Sequence, residues 1–86
     1  MMSNLEKAKQ RLRQTPKDYT YSEAKTLLGH LGYEERSKGK TSGSRVGFFR
    51  PSDNDIILLH KPHPGNEMNV AAVKALAEHL TLKGDL

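Results

Sequence analysis

The stretch Ser42-Gly43-Ser44-Arg45-Val46-Gly47-Phe48-Phe49, with Ile56-Ile57-Leu58-Leu59 and then His63-Pro64-Gly65-Asn66-Glu67-Met68 behind it, constrains the fold more than any other part of the chain. Val46, Phe48 and Arg50 alternate with Arg45, Gly47 and Phe49, a period of two that puts the two sets on opposite faces of a strand. Pro51-Ser52-Asp53-Asn54-Asp55 has strong turn chemistry, so the strand from Ile56 to His60 returns antiparallel beside the first. Pro62 and Pro64 interrupt regular pairing. Asn69 is then placed to cap a last helix, with Met68 and Val73 as its hydrophobic staple and Val73, Leu76, Ala77 and Leu80 along its buried face as far as Gly84.

The residues upstream complete the layout. Thr20-Tyr21-Ser22-Glu23 is a capping box, and Tyr21, Ala24, Leu27, Leu28 and Leu31 recur at helical spacing on one face. Gly32 stands where a left-handed C-cap is wanted. Residues 33 to 37 form a first strand, and the Gly, Ser, Lys and Thr of Ser37 to Ser44 suit a flexible hairpin loop into the second. Nearer the start, Ser3 and Glu6 make another capping pattern, and Leu5, Ala8 and Leu12 give residues 3 to 14 a thin helical stripe that Thr15-Pro16 ends. Lys7, Lys9, Arg11 and Arg13 surround that stripe. A helix this short is marginal alone, so it docks on the rest or stays partly disordered. The predicted fold class is α+β: a helix, a three-stranded antiparallel sheet and a helix, with an additional short N-terminal helix. Residues 1–18 read as a basic extension and 19–86 as the domain. Two helices cover one sheet face, which leaves the opposite face and the loops for a partner.

Eighty-six residues make one domain, which buries only about 60% of its unfolded surface and has no room for a deep, closed cavity. Function is expected on an open surface. A net charge of +4 favours a polyanionic partner: nucleic acid, an acidic membrane face or an acidic protein. With no cysteine, disulfide frameworks and thiolate metal sites are excluded, which fits a reducing cytoplasm. No apolar run exceeds the four residues of Ile56 to Leu59, far short of the roughly 18 a membrane span needs, and no signal-peptide core follows Met1. A soluble, cytoplasmic protein without a membrane partner is the expectation.

Residues 20 to 83 resemble the HicA toxin family, most closely in the Gly43-Ser44 turn into a strand and in His63 to Met68 before the last helix. The resemblance implies a fold like that of double-stranded-RNA-binding domains. It also implies the toxin role in a type II toxin-antitoxin system, pairing with a HicB-like antitoxin, and mRNA cleavage that uses no metal or other cofactor. The family's motif places a histidine directly after Gly-Ser, and this chain has Arg45 there. RNA cleavage of that kind needs a base to take the 2′-hydroxyl proton, a cation for the developing phosphorane charge, and a proton for the leaving 5′-oxygen. A guanidinium cannot be the base, but it can grip a phosphate bidentately. His60, ending the third strand, and His63, in the family's His-Pro-Gly turn, are the candidates to supply the missing proton chemistry. The plain alternative is that His60 closes the sheet edge and His63 shapes a turn. As a metal site the two lack a clear third ligand.

Lys38, Lys40, Arg45, Arg50 and Lys61 are the expected phosphate contacts, with the backbone around Ser44 as an anion nest and Phe49 as a surface for a base. Solvated charge is the plain alternative for the loop lysines. His30 and His79 read as helix-end or surface residues. Three functions stay open on this fold: a metal-independent mRNA endoribonuclease, a non-catalytic RNA-binding module, and a protein-interaction domain.

Overall fold

The computed structural model describes residues 3–36, 45–62 and 65–86. Within them the elements run α1 (Asn4–Arg13), α2 (Tyr21–His30), β1 (Glu34–Arg36), β2 (Arg45–Arg50), β3 (Asp55–His60) and α3 (Val70–Leu82). The three strands form one antiparallel sheet in the order β1-β2-β3, so the architecture is the α+β arrangement that the patterning predicts.

Local chemistry explains where the helices begin and end. At α2 the Thr20 hydroxyl accepts from the Glu23 amide at 3.1 Å while the Glu23 carboxylate accepts from the Thr20 amide at 3.1 Å. Two orphan donors are satisfied together, a cap worth about 1 kcal/mol. Gly32 closes the helix at φ +93°, where a side chain would be strained. At α3 the Asn69 side chain accepts from the Ala72 amide at 2.9 Å, and Met68 and Val73 are both buried as its staple. Backbone bonds from Tyr21 N to Asn66 O (2.7 Å) and from Met68 N to Tyr19 O (2.8 Å) then stitch the approach to α3 onto the start of α2. The Asn66 side chain adds a bond at 3.0 Å to the Ser22 hydroxyl, so the two helices start side by side.

The core lies between those helices and one face of the sheet. Val46 and Phe48 of β2 and Ile57 and Leu59 of β3 are buried with Tyr21, Ala24, Leu27 and Leu28 of α2 and Val73, Leu76 and Leu80 of α3. Of the two outcomes open to the N-terminal helix, docking is the one observed. Leu12 is fully buried in this core, and Leu5 and Ala8 pack against it.

Candidate functional site

Strand alternation makes the other sheet face. Arg45, Gly47 and Phe49 of β2 share it with Ile56, Leu58 and His60 of β3, and the register adds Glu34 and Arg36 of β1 opposite Phe49 and Gly47. Among the described residues no helix covers Ile56 and Leu58, which stay 60% and 59% exposed. Large aliphatic side chains held in water on a strand mark a surface suited to contact. Gly47 keeps the middle of the face low: a Cβ there would meet the Arg36 carbonyl oxygen at 3.3 Å and the Leu58 Cδ2 at 3.6 Å. The result is an open depression of about 350 Å³ with Arg36, Arg45, Phe49, Ile56 and Leu58 around it.

Arg45 and His60 are direct cross-strand partners at one end of the β2–β3 ladder. Opposed residues of an antiparallel pair lie roughly 5 Å apart at Cβ, so a guanidinium and an imidazole can reach the same small group. Both are exposed, Lys61 follows exposed, and Arg45 has no ion-pair partner among the described residues. This end of the sheet therefore carries positive charge that no ion pair among the described residues neutralises. Phe49 lies on the same face but is half-buried, and the Arg36 guanidinium sits 4.8 Å over its ring. Lys38, Lys40, Ser44 and His63 lie outside the described residues.

Arg50 departs from the expected phosphate-contact set. Its side chain points to the helix-covered face and is only 10% exposed. Nε and Nη2 grip the two oxygens of Asp53 at 2.9 and 2.8 Å, Nη1 donates to the Leu31 carbonyl at 3.3 Å, and the guanidinium lies 4.6 Å over the Tyr33 ring. Asp85, from beyond α3, comes within 2.9 Å of Nη2 as an ion pair without hydrogen-bond alignment, its Oδ2 otherwise unpaired. The guanidinium in turn holds the Asp53 carboxyl well below the usual range. A cation so enclosed has no free donor fork to offer a phosphate.

His79 is also tied to this end of the molecule rather than being a plain surface residue. Its Nε2 lies 2.7 Å from Asp55 Oδ2, which also accepts from the Tyr33 hydroxyl. Burial pushes the Asp55 carboxyl up, but the bonds from Tyr33 and His79 outweigh it and leave the group below its usual value. The two ends of the sheet thus differ in kind: Arg50, Asp53, Asp55, His79 and Lys83 neutralise one another, whereas Arg45, His60 and Lys61 do not. Sequence reasoning missed Arg36, Ile56 and Leu58 as parts of the open face. The alternation of β3 carried the signal for the two aliphatics, while Arg36 depends on a register that no local pattern gives.

A family model described as the HicA toxin of bacterial toxin-antitoxin matches residues 21–82. No match was found among curated proteins or among solved structures. The matched span runs from the first residue of α2 to the last of α3, so it contains the sheet and both of its covering helices and leaves α1 outside.

Proposed function

The chain belongs to the HicA toxin family of bacterial toxin-antitoxin systems, and from that premise we propose that it is an RNA-directed toxin, working in the cytoplasm and neutralised by a HicB-like antitoxin. The observation that carries this reading is the exposed Arg45–His60 pair, within the matched span, at the end of the sheet where positive charge is left unneutralised. Lys61 extends that charge, and Lys38 and Lys40 are proposed as further phosphate contacts, which give affinity without sequence preference.

The proposed reaction is metal-independent cleavage of mRNA. The RNA 2′-oxygen attacks the adjacent phosphorus and gives its proton to the His60 imidazole. Arg45 keeps its charge throughout and holds the phosphate oxygens as they become more negative. The bond from phosphorus to the 5′-oxygen breaks, and that oxygen takes a proton from an imidazolium, His63 or the newly charged His60. The second reading, a non-catalytic RNA-binding module, is favoured by one feature: Arg45 stands where the resemblance expects the family's histidine, and a guanidinium can grip a phosphate but cannot be the base.

Induced expression of the chain alone, and together with its antitoxin, separates the two readings. Growth arrest with fragmented mRNA, relieved by the antitoxin and lost in His60→Ala or His63→Ala, is the expected result. Normal growth with intact mRNA, alongside steeply salt-dependent RNA binding by the purified protein, would select the binding module.

A further inference from the structure

The two edges of the sheet are built differently. β1 is three residues long, and each of them, Glu34, Glu35 and Arg36, is charged and exposed. Short, charged strands are how folded proteins keep an edge from pairing with another chain. β3, the other edge, runs six residues from Asp55 to His60, and Ile56, Ile57, Leu58 and Leu59 fill its middle with no charge, proline or glycine. β2 takes its backbone groups on one side. Among the described residues, no backbone hydrogen bond outside the sheet involves residues 56–60.

The space beside this edge is open as well. A groove of about 230 Å³ lies between β3 and α3, with Ala72, Ala75 and His79 on its helix wall. Alanine side chains are too short to hold a neighbouring backbone off, so an added element can come close. An edge of this length and apolarity invites one more strand. Its charges say which strand. Around the start of β3 stand the carboxylates of Asp53, Asp55 and Asp85, with only two permanently charged cations, Arg50 and Lys83, among them. At its end stand Arg45, His60 and Lys61. A parallel copy of β3 would set like ends together, whereas an antiparallel copy sets each basic end beside an acidic one.

We propose that β3 pairs antiparallel with β3 of a second copy of this chain, making a two-fold dimer around one six-stranded sheet. Inward side chains must meet inward ones, so opposed residues share the parity of their numbers. With Leu58 on the two-fold axis, Ile57 faces Leu59 on the inner side and Ile56 faces His60 on the outer side. Lys61 then comes opposite Asp55 of the second copy. The neighbouring registers set Asp55 against Leu59, or set Ile56 against Pro62, which has no N–H to give. Such an interface is isologous, each copy offering the same strand. The outer faces of the two copies run together, with Leu58 at the join and the Arg45–His60 pair present twice. The dimer itself does not depend on the RNA-directed reading.

The test is sedimentation equilibrium of the full-length protein over a wide range of concentration, where the average mass is expected to climb from that of one chain toward that of two. Leu58→Lys changes a side chain that is already 59% exposed and sets two like charges face to face on the axis. It is expected to weaken association about tenfold or more, with circular dichroism checking that the variant is folded. Because the chain has no cysteine, single cysteines report the register. Directly opposed residues of an antiparallel pair have Cα atoms about 4.5–5.5 Å apart, within disulfide reach, so Leu58→Cys is expected to cross-link on oxidation. In Ile56→Cys the two thiols belong to positions roughly 14 Å apart, four residues along the strands, and no cross-link is expected. The mass of one chain at every concentration would overturn the proposal and leave the edge to a strand from a different protein. A dimer that Leu58→Lys leaves intact would overturn it too, because the contact would then lie elsewhere. Cross-linking of Ile56→Cys as readily as Leu58→Cys would mark parallel pairing and do the same.

Discussion

Two arginines end the same strand and meet opposite fates. Arg50 points inward, where Asp53, Asp85, the Leu31 carbonyl and the Tyr33 ring enclose its guanidinium. Arg45 points outward beside His60 with no ion pair among the described residues. The odd spacing between them puts them on opposite sheet faces, and the faces decide the rest. One arginine spends its charge on joining the β2–β3 turn to the chain beyond α3. The other keeps its charge for something outside the fold. The adjacent phenylalanines repeat the contrast, Phe48 packed against Tyr21 in the core and Phe49 under Arg36 on the open face.

The phenylalanine pair gives the hardest blow to this division. Phe48→Ala opens a cavity in the centre of the core and is expected to cost about 3–5 kcal/mol, enough to unfold a domain of this size. Phe49→Ala removes a half-buried ring from the open face and is expected to cost about 1 kcal/mol or less. Urea denaturation of the two variants measures both, and equal losses would mean that the outer face is structural. Next in size is Arg50→Ala, expected to destabilise by about 2–3 kcal/mol because it leaves the Asp85 carboxylate without its ion-pair partner and Asp53 with Lys83 alone, moderated by their partial exposure. Arg50→Lys should recover only part of that loss, since an ammonium cannot reproduce the two-pronged grip on Asp53.

Acid should attack the enclosed end of the sheet more gently. Arg50 lowers the Asp53 carboxyl; at Asp55, burial acts upward, but Tyr33 and His79 outweigh it. Arg11 lowers Glu23 and Lys25 lowers Glu35, each through a direct hydrogen bond. A carboxyl whose folded value lies below its unfolded one stabilises the fold above the unfolded value, and the gain disappears as pH falls through the folded value. Melting temperature is therefore expected to hold steady above the ordinary carboxyl values of 3.8 and 4.5 and to fall progressively beneath them. Asp53→Asn should flatten that fall, and a profile that is unchanged by the substitution would take Asp53 out of the account.

How far the sequence could be read depended on the range of the interaction. The α2 and α3 caps, the Gly32 stop and the inward set Val46 and Phe48 rest on neighbours within a few residues, and the structure has each of them as the spacing predicts. Arg50 shares the parity of Val46 and Phe48, so its inward direction was legible; its charge argued for the surface, and the carboxylates that make burial tolerable come from a turn and from the far side of α3. His79 with Asp55 is likewise a contact between distant segments. At the candidate site the cross-strand partnership of Arg45 and His60 follows from a register that the turn length only suggests. Arg36 on Phe49 could not be foreseen at all.

The smallest expected effect on stability is the one that most sharpens the contrast. Arg45→Ala removes an exposed, unpaired cation from the end of a strand, so its stability should stay within about 0.5 kcal/mol of the parent. If the outward arginine holds a phosphate, RNA binding should nonetheless weaken, and the slope of log affinity against log salt should drop by about one, the signature of one lost phosphate contact. Arg50→Ala, measured in buffer where it stays folded, should leave that slope where it was, because its guanidinium faces carboxylates and not solvent. Fluorescence titrations of both variants over a range of salt concentrations compare the two directly. Equal slopes for Arg45→Ala and the parent would strip the outward arginine of its proposed role, and a reduced slope for Arg50→Ala would show that the enclosed one is released when RNA arrives.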